Sequence, residues 1–113
     1  MPPRRPIPSI VFPPMIAALA LLAASPACAD PKEVTIVMGN MTYGKIPSDL
    51  KVGDTIVWVN RDTVIHSATA RDHSFDIRAN PNQTVKMTVS KAGTFPFNCI
   101  YHSMMRGTLT VGQ

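Results

Sequence analysis

Cysteine is nearly missing from this chain: its 113 residues hold two, Cys28 and Cys99. A disulfide framework is therefore excluded as the source of stability. Charge is sparse as well, at 16% of residues, and Lys32, Lys45, Lys51, Lys86 and Lys91 form no dense basic run. That excludes the electrostatic footprint of a nucleic-acid binder. The chain also has no apolar run of the roughly 20 residues that a membrane span requires. Its longest candidate, from Ile10 to Ala24, is short and broken by Pro13 and Pro14. What remains is a chain 45% hydrophobic, with 6 glycines and 11 prolines, suited to one small globular domain and too short for a multidomain enzyme.

The N-terminal region reads as an export signal. Arg4 and Arg5 supply a positive start, the run from Ile10 to Ala24 an apolar centre, and Ala27-Cys28-Ala29 a small-residue cleavage site. Cleavage after Ala29 makes residues 1–29 a signal peptide and residues 30–113 the mature domain, without stable membrane association. The signal removes two arginines and no acids, so the net charge falls from +4 to +2. It also removes Cys28 and leaves Cys99 alone. A single thiol in an oxidising compartment is buried and inert, paired between chains, or held by a metal.

Beyond Asp30, short β-branched and aromatic segments alternate with turn signals at Gly39-Asn40, Pro47-Ser48-Asp49, Gly53-Asp54, Asn60-Arg61-Asp62, Asn80-Pro81-Asn82 and Gly93. This spacing predicts an all-β sandwich. The clearest strands are Val34–Met38, Thr55–Asn60, Ile65–Ala70, Thr84–Ser90, Thr94–Cys99 and Thr108–Val111, while Asp72 to Ala79 suits a short turn or an irregular edge strand. Alternation puts Val85, Met87 and Val89 on one face, and Phe95, Phe97 and Cys99 on another, so the Cys99 sulfur is expected to point into the core. Pro96 lacks an N–H and must occupy an edge, a bulge or a non-bonding position.

Between the last two strands lies C-x-x-H-x-x-M, formed by Cys99, His102 and Met105. A thiolate, an imidazole and a thioether are a soft donor set that favours copper, and a trigonal site of two histidines and one cysteine with a weak axial methionine is an electron-transfer design. The second histidine has to come from elsewhere: His66 follows the Asn60-Arg61-Asp62 turn and is well placed, with His73 as competitor. Zinc is disfavoured because a thioether is a poor zinc ligand. His73, near Asp72 and Asp76, otherwise reads as a surface histidine.

Trp58-Val59-Asn60-Arg61 followed by His66, and Phe97-Asn98-Cys99 followed by His102 and Met105, resemble the cupredoxins, in particular the amicyanin and plastocyanin-like branch. The likeness covers residues 33–112. It implies a Greek-key β-sandwich of about seven to eight strands. It further implies one type-1 copper per chain, held by His66, Cys99 and His102 equatorially and Met105 axially. A soluble periplasmic monomer follows, passing single electrons between transient redox partners such as a dehydrogenase donor and a c-type cytochrome acceptor. Ser67 stands where such proteins often carry an asparagine that braces the cysteine loop. The loop lacks their prolines, so Tyr101 keeps an N–H available to the Cys99 sulfur, where an added donor raises the reduction potential. Met104 beside Met105 offers a second thioether.

Two other functions compete with the carrier. A periplasmic copper chaperone or storage module uses the same metal but exchanges it through an open site, whereas a cysteine, two histidines and a methionine form a closed one. A Cys99 nucleophile with a His66 base lacks an orienting residue or an oxyanion motif, so the chain is expected not to be an enzyme.

Overall fold

The computed structural model describes residues 2–14 and 30–113. The cleavage site and most of the apolar run of the expected signal lie outside the described residues. Among the described residues there is no helix, and so none long and apolar enough to cross a membrane.

Nine strands form the domain: β1 (Glu33–Gly39), β2 (Thr42–Tyr43), β3 (Leu50–Lys51), β4 (Thr55–Asn60), β5 (His66–Ala70), β6 (Asp76–Ala79), β7 (Thr84–Thr88), β8 (Gly93–Asn98) and β9 (Arg106–Gly112). One sheet runs β2-β1-β4-β7 and the other β3-β9-β8-β5-β6. The chain leaves the first sheet after β4, returns to pair β7 against β4, and leaves again for β8 and β9. These crossings make the Greek-key sandwich expected from the sequence, with the extra strands being the two-residue pieces β2 and β3. The Asp72 to Ala79 segment contains β6, an edge strand of the second sheet.

Period-two alternation builds the core. In β4, Ile56, Trp58 and Asn60 point inward while Thr55, Val57 and Val59 are half-buried. β1 lies parallel to β4 and places Ile36 opposite Trp58, and β7 brings Val85 to the other side of Trp58. The facing sheet contributes Phe95 and Phe97 from β8, Leu109 and Val111 from β9, and Ile77 and Ala79 from β6. Trp58 and Phe97 meet edge to face at 5.6 Å between centroids, and Tyr43 meets Phe97 at 4.7 Å, both favourable aromatic geometries. Trp58 is thus fully buried in the core, although its Nε1 has no hydrogen-bond partner among the described residues.

Pro96 sits in β8 opposite Thr108 of β9. Its carbonyl accepts from Arg71 N–H, on the side where β5 has ended at Ala70. Because the nitrogen and carbonyl of one strand residue face the same side, the missing N–H interrupts no bond to β9. This is the non-bonding position the sequence demanded.

Candidate metal centre

The site forms at the end of the sandwich where β5 begins and β8 gives way to β9. Cys99 directly follows β8, continues the inward face of Phe95 and Phe97, and is fully buried as a free thiol. Its backbone N–H donates to the Met105 carbonyl at 3.0 Å, and the Met105 N–H donates to the His102 carbonyl at 2.9 Å. These bonds close residues 99–105 into a tight loop that turns His102 back over the sulfur. His66 opens β5, fully buried, at the same end.

The three donors converge. Cys99 Sγ lies 3.9 Å from His66 Nδ1 and 3.5 Å from His102 Nδ1, and all three donor atoms fall within 4.8 Å of one another. Nitrogen and sulfur ligands about 2.0 and 2.3 Å from a trigonal ion are separated by about 3.7 Å. The observed separations bracket that value, so the residues fit a metal, and a thiolate with two imidazoles fits copper. The imidazole rings stand edge to face, 5.0 Å apart. His73 is exposed, has positive φ, and is no part of the cluster.

The two methionines part company: Met105 is 2% exposed and Met104 90%. Met105 is thus buried at the base of the loop, whereas Met104 points into solvent. Around the half-buried His102 the loop also exposes Ile100 and Tyr101, with Met41 and Val64 exposed in neighbouring loops.

Several supporting residues went unread in the sequence. Asp62 pairs with His66 Nε2 at 2.6 Å and accepts the backbone N–H groups of Asn40 at 2.8 Å and Met41 at 3.0 Å. The Met41 N–H above all, and then the His66 ring, hold the Asp62 carboxyl below the usual carboxylate range. An ionised Asp62 only accepts, so His66 Nε2 carries the proton and the Nδ1 lone pair faces the site. Buried Asn60 anchors this turn, donating to the carbonyls of Val64 and Ala79 and accepting from Asp62 N–H at 2.9 Å. The available signal was an aspartate four residues before a candidate ligand, inside a turn.

The sulfur's hydrogen bond corrects an expectation. Its donor is Ser67 N–H at 3.3 Å, and among the described residues Tyr101 N–H makes no such bond. The reason is directional: β5 runs past the sulfur with the Ser67 amide aimed at it. Ser67 also braces the loop, its Oγ accepting from Ile100 N–H at 2.9 Å. Tyr43 donates its hydroxyl to the Ser67 carbonyl, and burial, with the Cys99 sulfur adding to it, pushes the phenol well above its ordinary range.

A two-sheet Greek-key sandwich with a histidine, cysteine and histidine gathered at one end defines a class. The sequence model of the Cupredoxin-like domain matches residues 14–111, and the chain belongs to that family. The amicyanin of Paracoccus denitrificans is 27% identical over 84 residues, a match covering 69% of this chain and 64% of that protein, so the chain spans less than two thirds of the relative's length. The Cu(I) form of an amicyanin variant superposes with a TM-score of 0.62 at 27% identity, over 76% of this chain and 87% of the other. A reduced amicyanin variant gives 0.61 at 27% identity, over 71% and 82%. The chain is thus an amicyanin-like cupredoxin whose His66, Cys99 and His102 are grouped as a possible metal site.

Proposed function

We propose that this protein is a periplasmic blue-copper electron carrier, with residues 1–29 its export signal and residues 30–113 its copper domain. The observation that carries the reading is a fully buried free thiol flanked by two imidazole nitrogens at 3.5 and 3.9 Å. Cys99, His66, His102 and Met105 are the residues that would hold the copper. Copper in such a site supplies a one-electron Cu(II)/Cu(I) couple.

The chain's own residues do the rest. Asp62 fixes the His66 tautomer, Ser67 N–H orients the sulfur, and the two backbone bonds across residues 99–105 hold the loop against rearrangement. A frame of this kind changes little between oxidation states. His102 is the half-buried ligand, so its edge is the exit for the electron, and exposed Met41, Ile100 and Met104 give its surroundings an apolar character. Small apolar patches suit brief redox encounters. The partners are redox proteins, a dehydrogenase donor and a c-type cytochrome acceptor, met by a monomer without enzymatic activity of its own.

The test is the visible and electron paramagnetic resonance spectrum of the Cu(II)-loaded protein beside Cys99→Ser. An intense thiolate charge-transfer band with narrow copper hyperfine splitting, lost in the variant, is expected. A colourless protein, or ordinary square-planar signals that survive Cys99→Ser, overturns the carrier and favours copper exchange as the function.

A further inference from the structure

On the outer face of the second sheet, β5 and β6 place four polar side chains in a square: Ser67 opposite Arg78 and Thr69 opposite Asp76. Ser67 and Thr69 are buried even though this face looks away from the core. Their hydroxyls are 3.0 Å apart, and Thr69 Oγ1 donates to Asp76 Oδ1 at 2.8 Å. The second Asp76 oxygen accepts from Arg78 Nη2 at 3.2 Å, and Arg78 Nη1 donates to the Tyr101 hydroxyl at 3.3 Å. Ser67 Oγ receives the Ile100 N–H at 2.9 Å.

We propose that Asp76 is a positioning residue that, through Thr69 and Ser67, holds the cysteine loop in its ligand-presenting conformation. The argument is one of proton order. A carboxylate only accepts and a backbone N–H only donates, so the two ends of the chain leave one arrangement for the hydroxyls between them. Thr69 gives its proton to Asp76 and Ser67 must give its proton to Thr69, so both lone pairs of the Ser67 oxygen face away from Thr69 and one of them accepts from Ile100. Thr69 and Arg78, in that order, keep the Asp76 carboxyl ionised by lowering its titration range, as the order requires. The same carboxylate reaches the next loop residue through Arg78 and Tyr101, so consecutive residues after Cys99 are tied to one charge. Buried hydroxyl chains with every proton assigned are rigid, and a chain with one misdirected proton loses much of that rigidity.

Substitution by asparagine breaks the order whichever way the amide turns. With its oxygen toward Arg78, its NH₂ faces Thr69 and reverses the chain, leaving the Ser67 proton without its acceptor. Turned the other way, its NH₂ faces the guanidinium.

The significance for copper rests on the electron-carrier reading; the hydrogen-bond order itself can be tested without metal. In the metal-free protein, the Ile100 amide is expected to exchange with solvent roughly five- to tenfold faster in Asp76→Asn and Thr69→Val than in the wild type, the effect of about one hydrogen bond. Thr69→Ser, which keeps the hydroxyl, retains the wild-type rate, and the amides of β1 and β4 are unchanged. In the Cu(II)-loaded protein, Asp76→Asn and Thr69→Val alter the relative intensities of the thiolate-to-copper bands, and Thr69→Ser does not. Unchanged Ile100 exchange in both variants overturns the proposal, as does an equal acceleration in β1 and β4, which is general destabilisation. If the wild type itself shows no intense thiolate band, the copper reading falls, and the Ile100 comparison still decides the relay.

Discussion

Met104 and Met105 are adjacent and chemically identical, and only burial separates them. Met105→Ala removes a buried thioether, so a loss of about 2–5 kcal/mol in stability is expected, together with a shifted blue spectrum. Met104→Ala is expected to stay within about 0.5 kcal/mol and keep the spectrum. Urea titrations and visible spectra of both variants check this, and the reverse pattern would make Met104 the ligand. Cys99, His102 and His66 were legible because sulfur and imidazole at motif spacing are rare enough to signal chemistry. Asp62 was not, because an aspartate in a turn has many uses and only its distance to a ligand selects one. Asp54 is a comparable case far from the metal. It accepts the N–H groups of Lys32 and Lys51 and the Lys32 ammonium, and the Lys32 backbone bond above all holds its carboxyl near about 2 rather than 3.8. A depressed native value gives stability that is complete above the unfolded value and is lost as pH falls from about 4 toward 2. Denaturation of metal-free protein across that window is expected to show a steeper acid loss than Asp54→Asn, and parallel curves would refute it.

At the scale of elements, alternation revealed the long strands and missed the short ones. β4 and β8 carry inward aromatic and aliphatic residues at every second position and were read directly. β2 and β3 have two residues each, too few to display a period, and they exist because β1 and β9 offer them edges. β5 was recognised as a strand, but its full burial was not expected from His-Ser-Ala-Thr-Ala. That burial comes from its place between β8 and β6 and from the polar square that covers its outer face. β9 depends on a close approach beside the metal loop. A Cβ at Gly107 would stand 2.4 Å from Phe97 Cζ and 2.7 Å from Ile46 Cδ1. Gly107→Ala therefore forces the Phe97 ring, which packs on Trp58 and Tyr43, out of its position. A loss of about 1–3 kcal/mol is expected from such overpacking, measured by urea unfolding. A second signature is a changed near-ultraviolet aromatic signal, and a variant with wild-type stability would show that the β8–β9 end yields easily.

For the molecule as a whole, the metal joins parts that the chain keeps far apart. His66 opens β5 and Cys99 follows β8, and the loop between them carries β6 and β7 through both sheets. The unfolded chain holds no such cluster, so free energy of copper binding becomes free energy of folding. A ligand present at a hundred times its dissociation constant stabilises the native state by about 2.7 kcal/mol. For a domain of this size each kcal/mol raises Tm by about 4–8 °C, so saturating copper is expected to raise Tm by roughly 10–20 °C. Calorimetry of the protein with and without Cu(II) measures that increment, and Cys99→Ala is expected to abolish most of it, because the thiolate is the donor both histidines surround. An increment that survives Cys99→Ala would place the tight copper site elsewhere and detach the buried thiol from the metal.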